Sequence, residues 1–421
     1  MQPIHALKVD EIALGDPQFW TRPLAEREGA FETLRRERPI SFHAEPEVPF
    51  LPKGPGFHAV VRHADVLTVS RNAQLFCSGR GTQIVDQPEA FSEFFGSMIN
   101  LDDPRHARLR RIVSSGFTPR MLRRLEDDVQ RVAAEVVDAV IERGECDFVT
   151  DIAAALPLRI ICNMMGIPES HTRFVFDRTN VILGAGDPEY VASVENIPAA
   201  LLSAGAELAA LVQDLGRDRL RQPTEDLTSA LVHAEMDGER LSDAELGSFF
   251  VLLVVAGNET TRNAISHGML ALCEHPEQRA LWQEDFEARA PAAVEEIVRW
   301  ATPVIHFRRT ATADTELGGA RIRAGEKVVL WYSSANRDDA AFEDPFRFDV
   351  RRSPNEHVGF GGPGPHHCLG AHLARREITV MFRELFRRVP DLEISGPPEK
   401  LLSMFIHGIK HMPCVFTPGA R

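Results

Sequence analysis

The 421 residues carry 61 acidic against 47 basic side chains, a formal net charge of −14, with 44% hydrophobic and 26% charged residues. That balance suits a chain able to bury a large core and excludes a general nucleic-acid binder, which needs a basic face for phosphates. The six cysteines stand far apart with no CxxC pair, which argues against a disulfide framework and a zinc ribbon.

The opening stretch "MQPIHALKVDEIALGDPQFW" has no charged-then-apolar pattern, so neither a secretory leader nor a membrane anchor is expected. The most apolar run, "LGSFFVLLVVAG", is too short to span a bilayer, and a cytoplasmic protein is expected. "FHAVVRHADVLTVSRN" predicts a short strand and then a helix. Residues 78–103 predict a long irregular loop, of the kind that is often functional. Helical periodicity covers Pro104 to Ile141 with a break at Pro119. "DIAAALPLRIICNMMGIP" predicts a buried helix interrupted by Pro157. A very long helix begins at Ser242, where Glu245 completes a capping box, and runs through "VVAGNETTRNA". "PAAVEEIVRWATP" predicts a helix stopped by Pro303, and "ELGGARIRAGEKVVLWY" a hairpin. A last helix is expected from Leu369 to Val389, then short strands such as "PCVFT". With no linker or short repeat, the expectation is one domain over 1–421, mainly α with a smaller β part.

Cys368 follows the glycine- and proline-rich loop "GFGGPGPHH" and precedes the last helix. Helix N–H groups and the macrodipole stabilise a thiolate there, as nucleophile or metal ligand. His366 and His367 are adjacent, which disfavours their sharing one zinc, and no second pair has metal spacing. Farther up the chain, Glu259 and Thr260 place an acid beside an alcohol in the long helix. Gly257 and the threonine hydroxyl both loosen a helical ladder. Glu296 and Arg299 in "EEIVR" lie one turn apart on one face, and His106 and Arg110 in "DDPRHARLR" do the same.

"FGGPGPHHCLG" resembles the haem-binding loop of the cytochrome P-450 family, and "AGNETT" and "EEIVR" follow the family's order along the chain. Phe360 lies eight positions before Cys368, one more than in the commonest family pattern. The resemblance implies the cytochrome P-450 fold and haem b, with the Cys368 thiolate as axial iron ligand and Phe360 and Gly370 lining the haem. It implies that Thr260 hydrogen-bonds the bound oxygen and that Glu259 helps relay protons through water. It further implies that Glu296, Arg299 and Arg347, from "FEDPFRFD", form a structural ion triad. The haem propionates would be held by His106, Arg110, Arg309 and His366, Arg309 being preferred over Arg308 for its distance to Asp314.

An apolar pocket is expected from Phe95, Met98 and Ile99, from Leu183, from Leu252, Val255 and Ala256, from Ile305 and Phe307, and from Met404 and Phe405. Any one of them alone fits an ordinary core position as well. "FFGSMINLDDPRHARLR" and "LLSMFIHGIK" are similar to bacterial members of the family that oxidise methyl-branched lipids. The resemblance therefore implies a monooxygenase that uses O2 to hydroxylate the terminal (omega) carbon of methyl-branched fatty acids, isoprenoids or sterol side chains, in lipid or steroid metabolism. No flavin or nicotinamide fingerprint occurs, so electrons are expected from a ferredoxin served by an NAD(P)H-dependent ferredoxin reductase. Arg108, Arg111, Arg120, Arg123, Arg124, Arg375 and Arg376 are candidates for its docking patch. A peroxide-driven peroxygenase and a non-catalytic haem sensor are the alternatives, and the acid–alcohol pair argues against both.

Overall fold

A computed structural model describes residues 2–49, 51–235 and 238–420; the side chains of Pro119, Arg120, Leu122 and Val194 lie outside the described residues. Helices take up 53% of the chain and strands 10%. The long helix, Asp243–Glu274, is the axis of the structure. Its capping box forms as the sequence requires: Glu245 N–H donates to Ser242 Oγ at 3.2 Å and Ser242 N–H to Glu245 Oε2 at 2.9 Å. Apolar on several faces, it is buried against Ala155–Met165, Phe286–Ala301 and Ala371–Arg388. Together with Pro119–Asp138 these helices enclose the main core, around Val254, Ile265, Met269, Ile297 and Phe382.

The β part is a five-stranded sheet in the order Ile40–His43, Phe57–Val60, Lys327–Trp331, His306–Ala311, Phe76–Cys77, with the second and third strands parallel and the other pairs antiparallel. A second sheet places Pro413–Val415 between Glu145–Asp147 and Glu393–Ile394. The expected hairpin pairs Thr315–Leu317 with Ala320–Ile322. A further one pairs Glu399–Lys400 with Ile409–His411, so that residues 401–408 turn back towards the long helix.

Three local expectations change. The segment 78–103 contains a helix, Glu89–Gly96, and a 3-10 turn, Ser97–Asn100. Its Phe91, Phe94 and Phe95 stand at helical spacing, and Ser248 on the long helix donates to the Glu93 and Phe94 carbonyls at 2.9 Å. Pro157 does not interrupt its helix. It is the third residue of Ala155–Met165, just after the π-helical segment Phe148–Ala153, and proline is tolerated in the first turn of an α-helix. The last helix begins at Ala371, leaving Cys368 in the turn before it. Two stretches are long and apolar enough to cross a membrane by composition: Phe148–Met165, 72% buried in the fold, and Ile197–Arg221, 33% buried. Each packs on the long helix.

Candidate active site

The cysteine loop is shaped by close approach. Gly364 has φ +149°, and a Cβ there would stand 2.2 Å from the Ser70 carbonyl oxygen. At Gly359 a Cβ would stand 2.6 Å from Val298 Cγ1, on the helix that carries Glu296 and Arg299. Cys368 N–H donates to the Phe360 carbonyl at 3.0 Å and closes the loop. The Arg375 guanidinium covers the Phe360 ring at 4.4 Å and pairs with Glu295, to which His357 also bonds at 2.9 Å. Cys368 is solvent accessible, yet densely ringed by protein. That desolvation raises its thiol pKa, against the backbone N–H groups of Gly370 and Ala371 and the charges of Arg110 and Arg375. Gly370, the N-cap, lies beside the sulfur, its Cβ position 4.0 Å from Sγ.

Beside the loop, four donors converge. His106 is buried, its Nδ1 3.3 Å from Asp103 Oδ1 and its Nε2 without a partner among the described residues. Its ring lies 4.3 Å from that of His366. Burial, then the charges of Arg309, His106 and Arg110, push the His366 pKa down to about 3. Arg110 donates to the His367 carbonyl and Arg309 to the Arg308 carbonyl, both at 2.8 Å. Among the described residues, neither arginine has a carboxylate partner within ion-pair distance. Arg308, by contrast, is held by Asp86 at 2.6 Å and the Gln83 carbonyl at 3.1 Å. A cationic donor set with an orphaned imidazole nitrogen and no counter-anion fits a ligand with two carboxylates, as the propionates of the expected haem require.

On the long helix, Thr260 donates its hydroxyl to the Ala256 carbonyl at 2.6 Å, and Ala256 is exposed although it lies mid-helix. Glu259 does not share that face. Neighbouring helical positions are about 100° apart, and the Glu259 carboxylate is buried, bonded to Arg262 and, at 3.1 Å, to Asn263. Arg262 in turn reaches Asn180 Oδ1 at 3.1 Å. The acid and alcohol are thus adjacent in sequence and differently directed.

Glu296 and Arg299 are fully buried and bidentate, at 2.7 and 2.8 Å. The expected third member is corrected: Arg352, not Arg347, reaches Glu296 Oε2, at 3.1 Å. The Arg347 side chain is 56% exposed and lies 3.9 Å from Asp349; only its carbonyl enters the cluster, accepting from Arg299 and Arg352. The tandem Arg351-Arg352 after Asp349 was the available signal, since a buried carboxylate needs its second cation to reach in from an adjoining turn.

The pocket candidates divide. Phe95 lies among Phe91, Phe94 and Gly205, with Leu252 and Val255 half-buried on the adjoining helix. Phe307 and Phe405 meet at 5.5 Å, next to the bonds that join residues 303–305 to 405–407. Ile99 and Leu183 are half-buried. Met98 is instead part of the main core, and Ile305 and Met404 belong to the cluster of Trp20, Phe31 and Trp331, because the residues before the His306 strand face the amino-terminal helices. The docking patch is also smaller than expected. Arg108 pairs with Glu239 and Glu245, and Arg375 with Glu295; Arg111 is partnered as well. Arg120 lies outside the described residues, Arg376 is half-buried, and Arg123 and Arg124 are exposed.

The cytochrome P-450 family model matches residues 207–390. A Mycobacterium tuberculosis methyl-branched lipid omega-hydroxylase is 50% identical over 99% of this chain and 97% of its own. A Mycolicibacterium smegmatis steroid C26-monooxygenase is 42% identical over 87% of this chain and 85% of its own. A Mycobacterium marinum cytochrome P-450 solved with pseudoionone superposes with a TM-score of 0.93 at 45% identity, over 98% of this chain and 100% of that one.

Proposed function

This chain belongs to the cytochrome P-450 family, and from that membership we propose that it hydroxylates the terminal carbon of methyl-branched lipids with electrons from a ferredoxin. It is a monooxygenase with haem b. The haem supplies dioxygen activation when bound, and the net reaction adds one oxygen atom to a C–H bond and reduces the other to water with two electrons and two protons. The observation that carries the substrate reading is the near full-length 50% identity to a methyl-branched lipid omega-hydroxylase. The steroid C26-monooxygenase likeness agrees, because a sterol side chain also ends in a branched methyl terminus.

In this reading Cys368 ligates the iron through sulfur. His106 Nε2, Arg110, Arg309 and His366 hold the propionates, and Phe360 and Gly370 shape the sulfur's surroundings. Thr260 holds a proton on the exposed Ala256 face of the long helix. Glu259, paired with Arg262, exchanges protons with that face only through intervening water. Phe95, Leu252, Val255, Phe307 and Phe405 supply the apolar wall. Their task is orientation: a primary C–H bond is stronger than the internal ones, so the chain end must be held over the iron while weaker bonds are kept away.

The test is turnover of branched fatty acids and sterols with a ferredoxin, its reductase and NADPH. Deuterium at the terminal methyl groups should be lost once per product molecule, in a primary alcohol. Secondary or tertiary alcohols would overturn the terminal assignment. Product formed only when peroxide replaces the electron chain would overturn the monooxygenase route.

A further inference from the structure

The chain spaces its cysteines widely, yet the fold brings two of them together. Cys146 and Cys414, 268 residues apart, face each other in the register of the antiparallel strands Glu145–Asp147 and Pro413–Val415. Their sulfurs are 3.4 Å apart. Directly opposed antiparallel residues have Cα atoms about 4.5 or 5.5 Å apart, and both separations lie within the range a disulfide spans. We propose that Cys146 and Cys414 form a reversible cross-strand disulfide.

Access favours a definite order. Cys146 is half-buried on the edge strand of the three-stranded sheet, and Cys414 is buried on the central one. A small disulfide therefore meets Cys146 first. The Cys146 thiolate attacks it and forms a mixed disulfide, releasing one small thiol. Cys414 then attacks the Cys146 sulfur and expels the second. With oxidised glutathione the sum is two protein thiols plus one glutathione disulfide giving one protein disulfide and two glutathione thiols. The S–H···S contact lowers the Cys414 thiol pKa and raises that of Cys146, so the pair's first proton leaves Cys414, and the remaining proton passes across the contact to Cys414 before Cys146 attacks. In a reducing compartment such a bond is transient and responds to redox state. It would tie the carboxy-terminal strand, and through it the Glu399–His411 hairpin, to the strand before Phe148.

The full-chain holoprotein is equilibrated in glutathione buffers of decreasing thiol-to-disulfide ratio, quenched in acid, alkylated and mapped by mass spectrometry. Cys146 and Cys414 should lose alkylation together, with a cross-linked peptide two hydrogens lighter than the separate thiols. The oxidised protein should melt roughly a few degrees higher, a shift absent from Cys146→Ser and Cys414→Ser. The haem absorption spectrum should stay unchanged, which separates this bond from any event at Cys368. Both thiols remaining alkylatable under glutathione disulfide and under diamide would overturn the proposal. So would separate glutathione adducts, or pairing of Cys414 with the nearby Cys273 instead.

Discussion

Glu296 accepts hydrogen bonds from Arg299, Arg352, Asn355 and the Asp349 backbone N–H, and no part of it touches solvent. Removing the carboxylate strands a buried guanidinium, so Glu296→Ala should cost about 3–5 kcal/mol and most of the haem content. The two candidate third members separate cleanly. Arg352 keeps only 9% of its side chain exposed and bonds the carboxylate directly. Arg352→Ala should therefore cost about 2 kcal/mol, as expected for a hydrogen bond to a charged group. Arg347→Ala keeps the carbonyl that the cluster uses and should stay within about 0.5 kcal/mol. Thermal melts and haem-to-protein ratios of the two variants check this, and equal losses would restore Arg347 to the triad. The sequence named the wrong arginine because a motif gives the spacing of a loop, while the turn after Asp349 decides which side chain points inward.

At the scale of helices, the legible parts were those with local causes. The Ser242–Glu245 box starts the long helix, the Glu296–Arg299 spacing places both on one buried face, and the glycines before Cys368 permit close packing. What failed depended on burial and packing that spacing alone does not show. The helix Glu89–Gly96 was hidden by the glycines and prolines around it, and Glu259 was read beside Thr260 because its partners, Arg262 and Asn263, act through burial. Glu377 was missed altogether. It lies in the last helix against Thr261 of the long helix, wholly buried, and that burial raises its pKa to about 8. Between about pH 4.5 and 8 the unfolded chain ionises this carboxyl while the folded one keeps its proton, so stability falls as pH rises through that window. Glu377→Gln keeps the shape without the titration. Its melting temperature should match wild type near pH 4 and exceed it near pH 8, by an amount on the order of a few kcal/mol in stability. Parallel pH–melting curves for the two proteins would refute the raised pKa.

The whole molecule is acidic, and the proposed function takes its electrons from a ferredoxin. The helix Pro119–Asp138 runs alongside Ala371–Arg388 in the same direction: Gln130 bonds Glu384, and farther on Asp138 pairs with Arg388. That alignment carries Arg123 and Arg124, both exposed, towards the end of the last helix that adjoins Cys368. Arg124 is only 3.9 Å from Glu225 across exposed side chains, a contact too screened to hold it. Of the other arginines of the expected patch, Arg108 and Arg375 are committed to ion pairs, Arg111 is partnered and Arg376 is half-buried, so among the described side chains these two are the cations best placed to meet an acidic ferredoxin. Steering by such charges acts mainly on association and weakens with ionic strength. Arg123→Glu with Arg124→Glu should lower kcat/KM for the ferredoxin by about tenfold at low salt. The deficit should shrink as salt approaches the molar range, where the Debye length falls to about 3 Å. Substrate-induced spectral shifts should be unchanged, because neither residue reaches the pocket wall. A double variant with wild-type turnover at low salt would move the docking face elsewhere; a salt-independent loss would assign these arginines to the fold.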